Sequence, residues 1–68
     1  RDDAGLLLAL GRLCLEQQLW GKAQSYLEAS LSLRDQREVR LELARLFERN
    51  GRAEDAMPHY RAAAELPR

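Results

Sequence analysis

The chain matches itself at one offset. Leu10 and Leu43 stand 33 positions apart, and the same shift relates Gly11 to Ala44, Cys14 to Phe47, Ala23 to Ala56, Leu27 to Tyr60 and Leu33 to Leu66. A period of about 20 to 50 residues marks stacked supersecondary units, because one such unit cannot bury its apolar face alone and must lean on the next. The 68 residues leave room for two units. At this size a fold buries only about 60% of the surface that its unfolded chain exposes, so each core contact weighs heavily.

The repeated unit is helical. Leucine, alanine, glutamate and arginine dominate the chain, and all are strong helix formers. Val39 is its one β-branched residue, where a sheet would want many. The class is therefore all-α: two tandem helix-turn-helix hairpins, four antiparallel helices, one hairpin over 1–36 and the other over 37–68. The first helix is expected at about 4–18, led by Asp2 and Asp3 as N-cap and favourable negative charge. Leu6, Leu7, Leu10, Leu13 and Cys14 recur there at helical spacing, and Leu8 and Leu15 carry the apolar surface further round the cylinder. Two hairpins cannot cover all of that, so a further neighbour is expected on this helix.

The second helix, about 20–33, sets Trp20, Ala23, Leu27 and Leu31 on one face. Asp35 followed by Glu38 reads as a variant capping box opening a third helix over about 36–50. Its apolar positions are Leu41, Leu43, Ala44, Leu46 and Phe47, and Asn50-Gly51 ends it. A fourth helix is expected over about 53–66, stopping before Pro67. Pro58 lies inside it, removes one backbone bond and crowds the carbonyl of Glu54, which predicts a kink or a looser first turn near 54–57.

Several function classes fall away on charge and inventory. Eleven basic and eleven acidic residues balance, whereas a general nucleic-acid binder shows a basic excess. A single cysteine makes no internal disulfide, which reads as an intracellular chain. The longest apolar run, Leu6 to Leu10, is far short of the roughly 20 residues that cross a bilayer, so no direct membrane insertion is expected. A chain opening on Arg1 reads as a soluble piece of a longer protein. One histidine, one cysteine and three serines supply no nucleophile–base–acid set, and there is no glycine-rich phosphate loop. The expectation is a non-catalytic chain with no cofactor and no metal.

In the first unit the repeated positions read Leu7-x-x-Leu10-Gly11-x-x-Cys14, then Ala23-x-x-x-Leu27. In the second they read Arg40-x-x-Leu43-Ala44-x-x-Phe47, then Gly51, Ala56-x-x-x-Tyr60 and Pro67. This pattern resembles the tetratricopeptide (TPR) repeat over nearly the whole chain. Small residues at Gly11, Ala23, Ala44 and Ala56 would let helices approach, and Leu10, Cys14, Leu27, Leu43, Phe47 and Tyr60 would fill the space between. Departures are Leu7 and Arg40 in place of the tryptophan, Cys14 in place of an aromatic, Asp35 near the usual proline and Pro67 displaced by one. The resemblance implies an α-solenoid segment for protein–protein interaction. Its groove positions fall on Gly5, Leu8, Arg12, Leu15 and Glu16 in unit one, and on Glu38, Leu41, Arg45, Glu48 and Arg49 in unit two. Arg12 and Arg45 share one slot, so both guanidiniums are expected in one groove, with Leu8 and Leu41 beneath, facing an acidic or C-terminal peptide segment. The bland reading is that Arg12 and Arg45 pair along the surface with Glu16, Glu42 or Glu48. The lysine–asparagine clamp of chaperone-binding TPR domains is absent.

A narrower resemblance lies in Leu6-Leu7-Leu8-Ala9-Leu10-Gly11-Arg12-Leu13-Cys14-Leu15, then Leu19-Trp20-Gly21-Lys22-Ala23 and Ser25-Tyr26-Leu27-Glu28-Ala29-Ser30-Leu31. This looks like the C-terminal TPR region of HemY-type proteins, a bacterial family associated with protohaem biosynthesis, with N-terminal membrane segments ahead of the repeats. It implies a parent protein anchored in the inner membrane. Haem then becomes a candidate ligand, with Cys14, Met57 and His59 as axial ligand types. The plainer reading makes Cys14 a core residue, His59 a solvated residue on the outer side of the fourth helix, and Met57 filler. Two further alternatives stand: a homodimer through Leu6, Leu13 and their neighbours, and a purely structural end-piece that stacks on neighbouring repeats of a longer solenoid.

Overall fold

The computed structural model describes residues 1–67 as four helices: α1 over Asp3–Glu16, α2 over Trp20–Leu33, α3 over Arg37–Arg49 and α4 over Ala53–Glu65. No strand occurs among the described residues. The chain is all-α, α1 packing on α2 and α3 on α4 as two hairpins, with α2 against α3 joining them.

The turns inside the two hairpins are one device used twice. After α1, Leu19 N–H donates to the Cys14 carbonyl at 2.9 Å and Gln18 N–H to that of Leu15 at 3.0 Å. After α3, Arg52 N–H donates to Phe47 at 2.8 Å and Gly51 N–H to Glu48 at 3.2 Å. Both are the Schellman arrangement, which needs one left-handed residue past the helix. Gly51 supplies it in the second hairpin at φ 75°, and Gln18, its counterpart by the repeat, supplies it in the first at φ 59°. α1 therefore ends at Glu16 rather than running on to Gln18.

The links into α1 and α3 start alike, as Arg1-Asp2 and Arg34-Asp35, yet the aspartates do different work. Asp2 caps α1, its carboxylate accepting from Gly5 N–H at 2.8 Å. Asp35 does not cap α3, and the expected capping box is corrected here. Its two carboxylate oxygens are taken by Arg40, each at 2.9 Å, and the N-cap passes to Gln36, which makes no side-chain capping bond. The repeat places Leu7 opposite Arg40, so Asp2 meets no such competitor on its own helix.

α4 runs unbroken through Pro58. Its opening turn is shared, the Arg52 carbonyl accepting from both Asp55 N–H at 3.1 Å and Ala56 N–H at 3.2 Å.

The core holds Leu8, Cys14, Ala23, Leu27, Val39, Leu43, Ala44, Leu46, Phe47 and Ala56, with Leu15, Trp20, Tyr26, Leu31 and Tyr60 packed around it. Gly11 lets α2 approach so closely that a Cβ there would meet Leu27 at 2.8 Å. Ser30, fully buried, ties α2 to α1 by donating its hydroxyl to the Ala4 carbonyl at 2.7 Å. On α1 the buried stripe is Ala4, Leu8, Gly11 and Cys14, while Leu6 and Leu13 point outward.

Candidate interaction surface

An open cleft of about 360 Å³ runs between α1 and α3, lined by Arg12, Leu15, Glu16, Glu42 and Arg49. Arg12 Nε donates to Glu42 Oε2 at 2.7 Å, bridging the two hairpins. Glu42 is the more enclosed of the pair, with its side chain 17% exposed against 50% for Arg12. Arg49 is held differently. Its guanidinium carbon sits 5.1 Å from the centre of the Trp20 ring, a cation–π contact from α3 to α2. Among the described residues Arg49 makes no ion pair, so its charge is available to a visitor. Leu15, half-buried, gives the cleft an apolar floor.

Of the ten groove residues singled out in the sequence, this cleft gathers Arg12, Leu15, Glu16 and Arg49. The other six lie off it, among them Gly5, half-buried, and Glu38, exposed. Leu8 is 8% exposed and belongs to the core, a correction to its placement in an open groove. Leu41 is half-buried, on the stripe of α3 that matches Leu8 on α1. Glu48 accepts the Tyr60 hydroxyl at 2.7 Å and so faces α4, and that bond is the chief reason the Tyr60 phenol is held above its usual pKa. Arg45 is exposed, unpaired among the described residues, and close enough to Tyr60 to act on its charge. Arg12 and Arg45 share a repeat position but not a cleft. Glu42 and Trp20 complete the site. The sequence offers Glu42 only as a surface ion-pair partner for Arg12 or Arg45, and its pair with Arg12 is the one that forms; it offers Trp20 only on the apolar face of the second helix. Both partnerships cross between helices.

Of the packing positions read from the repeat, Gly11, Cys14, Ala23, Leu27, Leu43, Ala44, Phe47 and Ala56 are buried, and Leu10 and Tyr60 are half-buried.

A second cluster lies within the second hairpin and joins α4 to α3. The His59 ring stacks on Phe47 with centroids 5.6 Å apart, and its Nδ1 lies 3.1 Å from Arg40 Nη1. Because arginine only donates, Nδ1 accepts here and the ring proton resides on Nε2. Burial first, and the Arg40 charge second, hold the imidazole below its ordinary pKa. Asp35 is held below its ordinary value chiefly by its bonds from Arg40. His59 is thus a partly buried bridging residue, which corrects the solvated position expected for it. Cys14 is buried in the core and Met57 lies on the surface. Among the described residues no three His, Cys, Asp or Glu side chains gather to hold a metal.

Two stacked hairpins with a mixed-charge cleft at their junction define a helical repeat module. The tetratricopeptide repeat family matches residues 6–41, more than half of the chain, and the protein belongs to that family. No curated protein and no solved structure gives a significant match. None of the described helices is long and apolar enough to cross a membrane.

Proposed function

We propose that the chain is a non-catalytic protein-interaction and scaffold module that receives an acidic or C-terminal peptide segment along the Arg12–Arg49 cleft. The observation that carries this reading is Arg49. Among the described residues it is a cation without an ion-pair partner, its guanidinium over the Trp20 ring in a cleft that Leu15 also lines. A ligand carboxylate can fork onto that guanidinium while an apolar neighbour lies on Leu15, and the Arg12–Glu42 bridge survives the exchange. Arg45, exposed one turn away, extends the basic edge for a longer segment.

The test uses labelled peptides ending in an acidic residue, with free or amide-capped C-termini, and reads fluorescence polarisation. Binding to the parent should fall more than about tenfold in Arg49→Glu, as expected when one charge-assisted contact is reversed. Binding that ignores Arg49→Glu, or none at all, leaves the module as a structural piece of a solenoid.

The narrower placement we propose is within a HemY-like, membrane-anchored parent associated with haem synthesis. Its support is the resemblance of the Leu6–Leu15 and Leu19–Leu31 strings. The role there is that of a scaffold rather than a direct haem carrier. Cys14 is enclosed in the core, and one nitrogen of His59 is already engaged by Arg40. A haemin titration should leave the Soret spectrum that of free haemin.

A further inference from the structure

The repeat makes α1 and α3 counterparts, so their faces can be compared position by position. On α3, Val39, Leu43 and Leu46 are 0%, 0% and 3% exposed. The matching positions on α1 are Leu6, Leu10 and Leu13. Leu6 is 59% and Leu13 53% exposed, with Leu10 half-buried. Each of these helices already packs on the second helix of its own hairpin. Among the described residues α3 has a further cover, the hairpin before it, whose α2 packs against it, and α1 has no such cover. The spacing of Leu6, Leu10 and Leu13 sets them in one line along α1. That line is the same stacking surface as on α3, with leucine at every position, and a helix of the α2 type is what fits it.

The chain carries such a helix at its other end. α4 is the counterpart of α2, and its outward positions include Ala53, Met57 and Ala64, matching Trp20, Gln24 and Leu31. Met57 is 49% exposed. Met57 lies in line with the small Ala53 and Ala64, with the exposed Glu54 and Arg61 beside it, and its flexible side chain adapts to branched neighbours. The net charge of zero sets no long-range repulsion between copies.

We infer that a second copy of this chain docks head to tail, α4 of one molecule covering Leu6, Leu10 and Leu13 of the next, so that the α2–α3 stacking continues between molecules. The two surfaces differ, so the contact is heterologous, and copies add without closing into a symmetric dimer. None of the three leucines lines the Arg12–Arg49 cleft, and the inference stands independently of peptide binding.

Sedimentation velocity from about 10 μM to about 1 mM tests it, a range that populates even weak self-association. The parent's average mass should climb steadily past that of a dimer. A Leu6→Glu/Leu13→Glu variant, blocked on α1, and a Met57→Glu variant, blocked on α4, should each stay monomeric and as helical as the parent by circular dichroism. All three positions are exposed, so the changes spare the core. Mixed, the two variants should form a 1:1 pair and stop, because only one complementary contact remains. A parent that stays monomeric throughout overturns the inference. So does a Met57→Glu chain that associates as the parent does, which would mean α1 pairing with α1, and so does a mixture that stays monomeric.

Discussion

Replacing Gly11 by alanine sets two magnitudes against each other, and the structure decides between them. An added Cβ meets Leu27 Cγ and Cδ2 at 2.8 Å, and the Ala23 carbonyl oxygen at a comfortable 3.6 Å. Carbon atoms pack best at about 3.5–4.0 Å, so Leu27 has to retreat by roughly 1 Å. It is fully buried, and Cγ is its branch point rather than a free end, so the helix moves with it. Overpacking of this kind costs about 1–3 kcal/mol. Alanine returns about 0.5–1 kcal/mol of helix propensity over glycine. The net at mid-range is a loss of about 1 kcal/mol, at most about 2.5, and in a domain of this size each kcal/mol moves Tm by about 4–8 °C. Thermal unfolding followed by far-UV circular dichroism should therefore show a fall of several degrees. Adding Leu27→Ala should cost less in the Gly11→Ala background than in the parent, since the clash is then already gone. Ala44 occupies the matching slot of the second hairpin, where the counterpart of Leu27 is the flat ring of Tyr60. Ala44→Gly should accordingly destabilise, the opposite of what relief of a clash would give. A Tm for Gly11→Ala at or above the parent's would refute the reasoning, showing that Leu27 yields and propensity wins.

Gln18→Gly should raise Tm by a few degrees, because the left-handed backbone at φ 59° costs a side-chain-bearing residue about 1 kcal/mol that glycine avoids; an unchanged or lower Tm would mean the Gln18 side chain supplies more than it costs. The pH profile of stability should show two steps. His59 titrates below its ordinary 6.5 in the fold, so around and below that value the unfolded chain binds more protons; stability is full above about 6.5 and declines as pH falls towards the folded pKa. Asp35 and Asp2 are held below 3.8, by Arg40 and by the Gly5 N–H respectively, and their contribution is lost as pH falls further, through their folded pKa values. His59 is the chain's one histidine, so His59→Gln should flatten the upper step and leave the acid limb; urea titrations at stepped pH would show otherwise if the upper step persists.

The helices were legible because composition and offset agree. With one β-branched residue no sheet competes, and each boundary fell within two residues of its expected place. What failed were features set between elements. Asp35-x-x-Glu38 has the local form of a cap, but Arg40 takes both carboxylate oxygens. Gln18 carries no mark of a left-handed residue except that the repeat aligns it with Gly51. His59 looked solvated because its partners, Phe47 and Arg40, come from another helix. The cleft was half legible for the same reason. Arg12, Leu15, Glu16 and Arg49 follow from the groove register, whereas Glu42 and Trp20 enter through pairs that span the hairpins.

The leucines of α1 show why periodicity alone could not separate core from surface. Ala4, Leu8, Gly11 and Cys14 satisfy helical spacing, and so do Leu6, Leu10 and Leu13. Either stripe could have faced α2. α3 resolves the ambiguity, because there the stripe matching the first opens on Arg37, while the stripe matching the second, Val39, Leu43 and Leu46, stays apolar throughout. A surface that is polar at one end suits packing within one short hairpin; a continuous apolar line suits a long seam between hairpins. α1 carries both kinds of surface in full, and α3 shows what the second kind does when a hairpin lies against it. The excess of leucine on α1 is therefore not surplus hydrophobicity but a second interface, in the same register as the one the chain already uses to join its two halves.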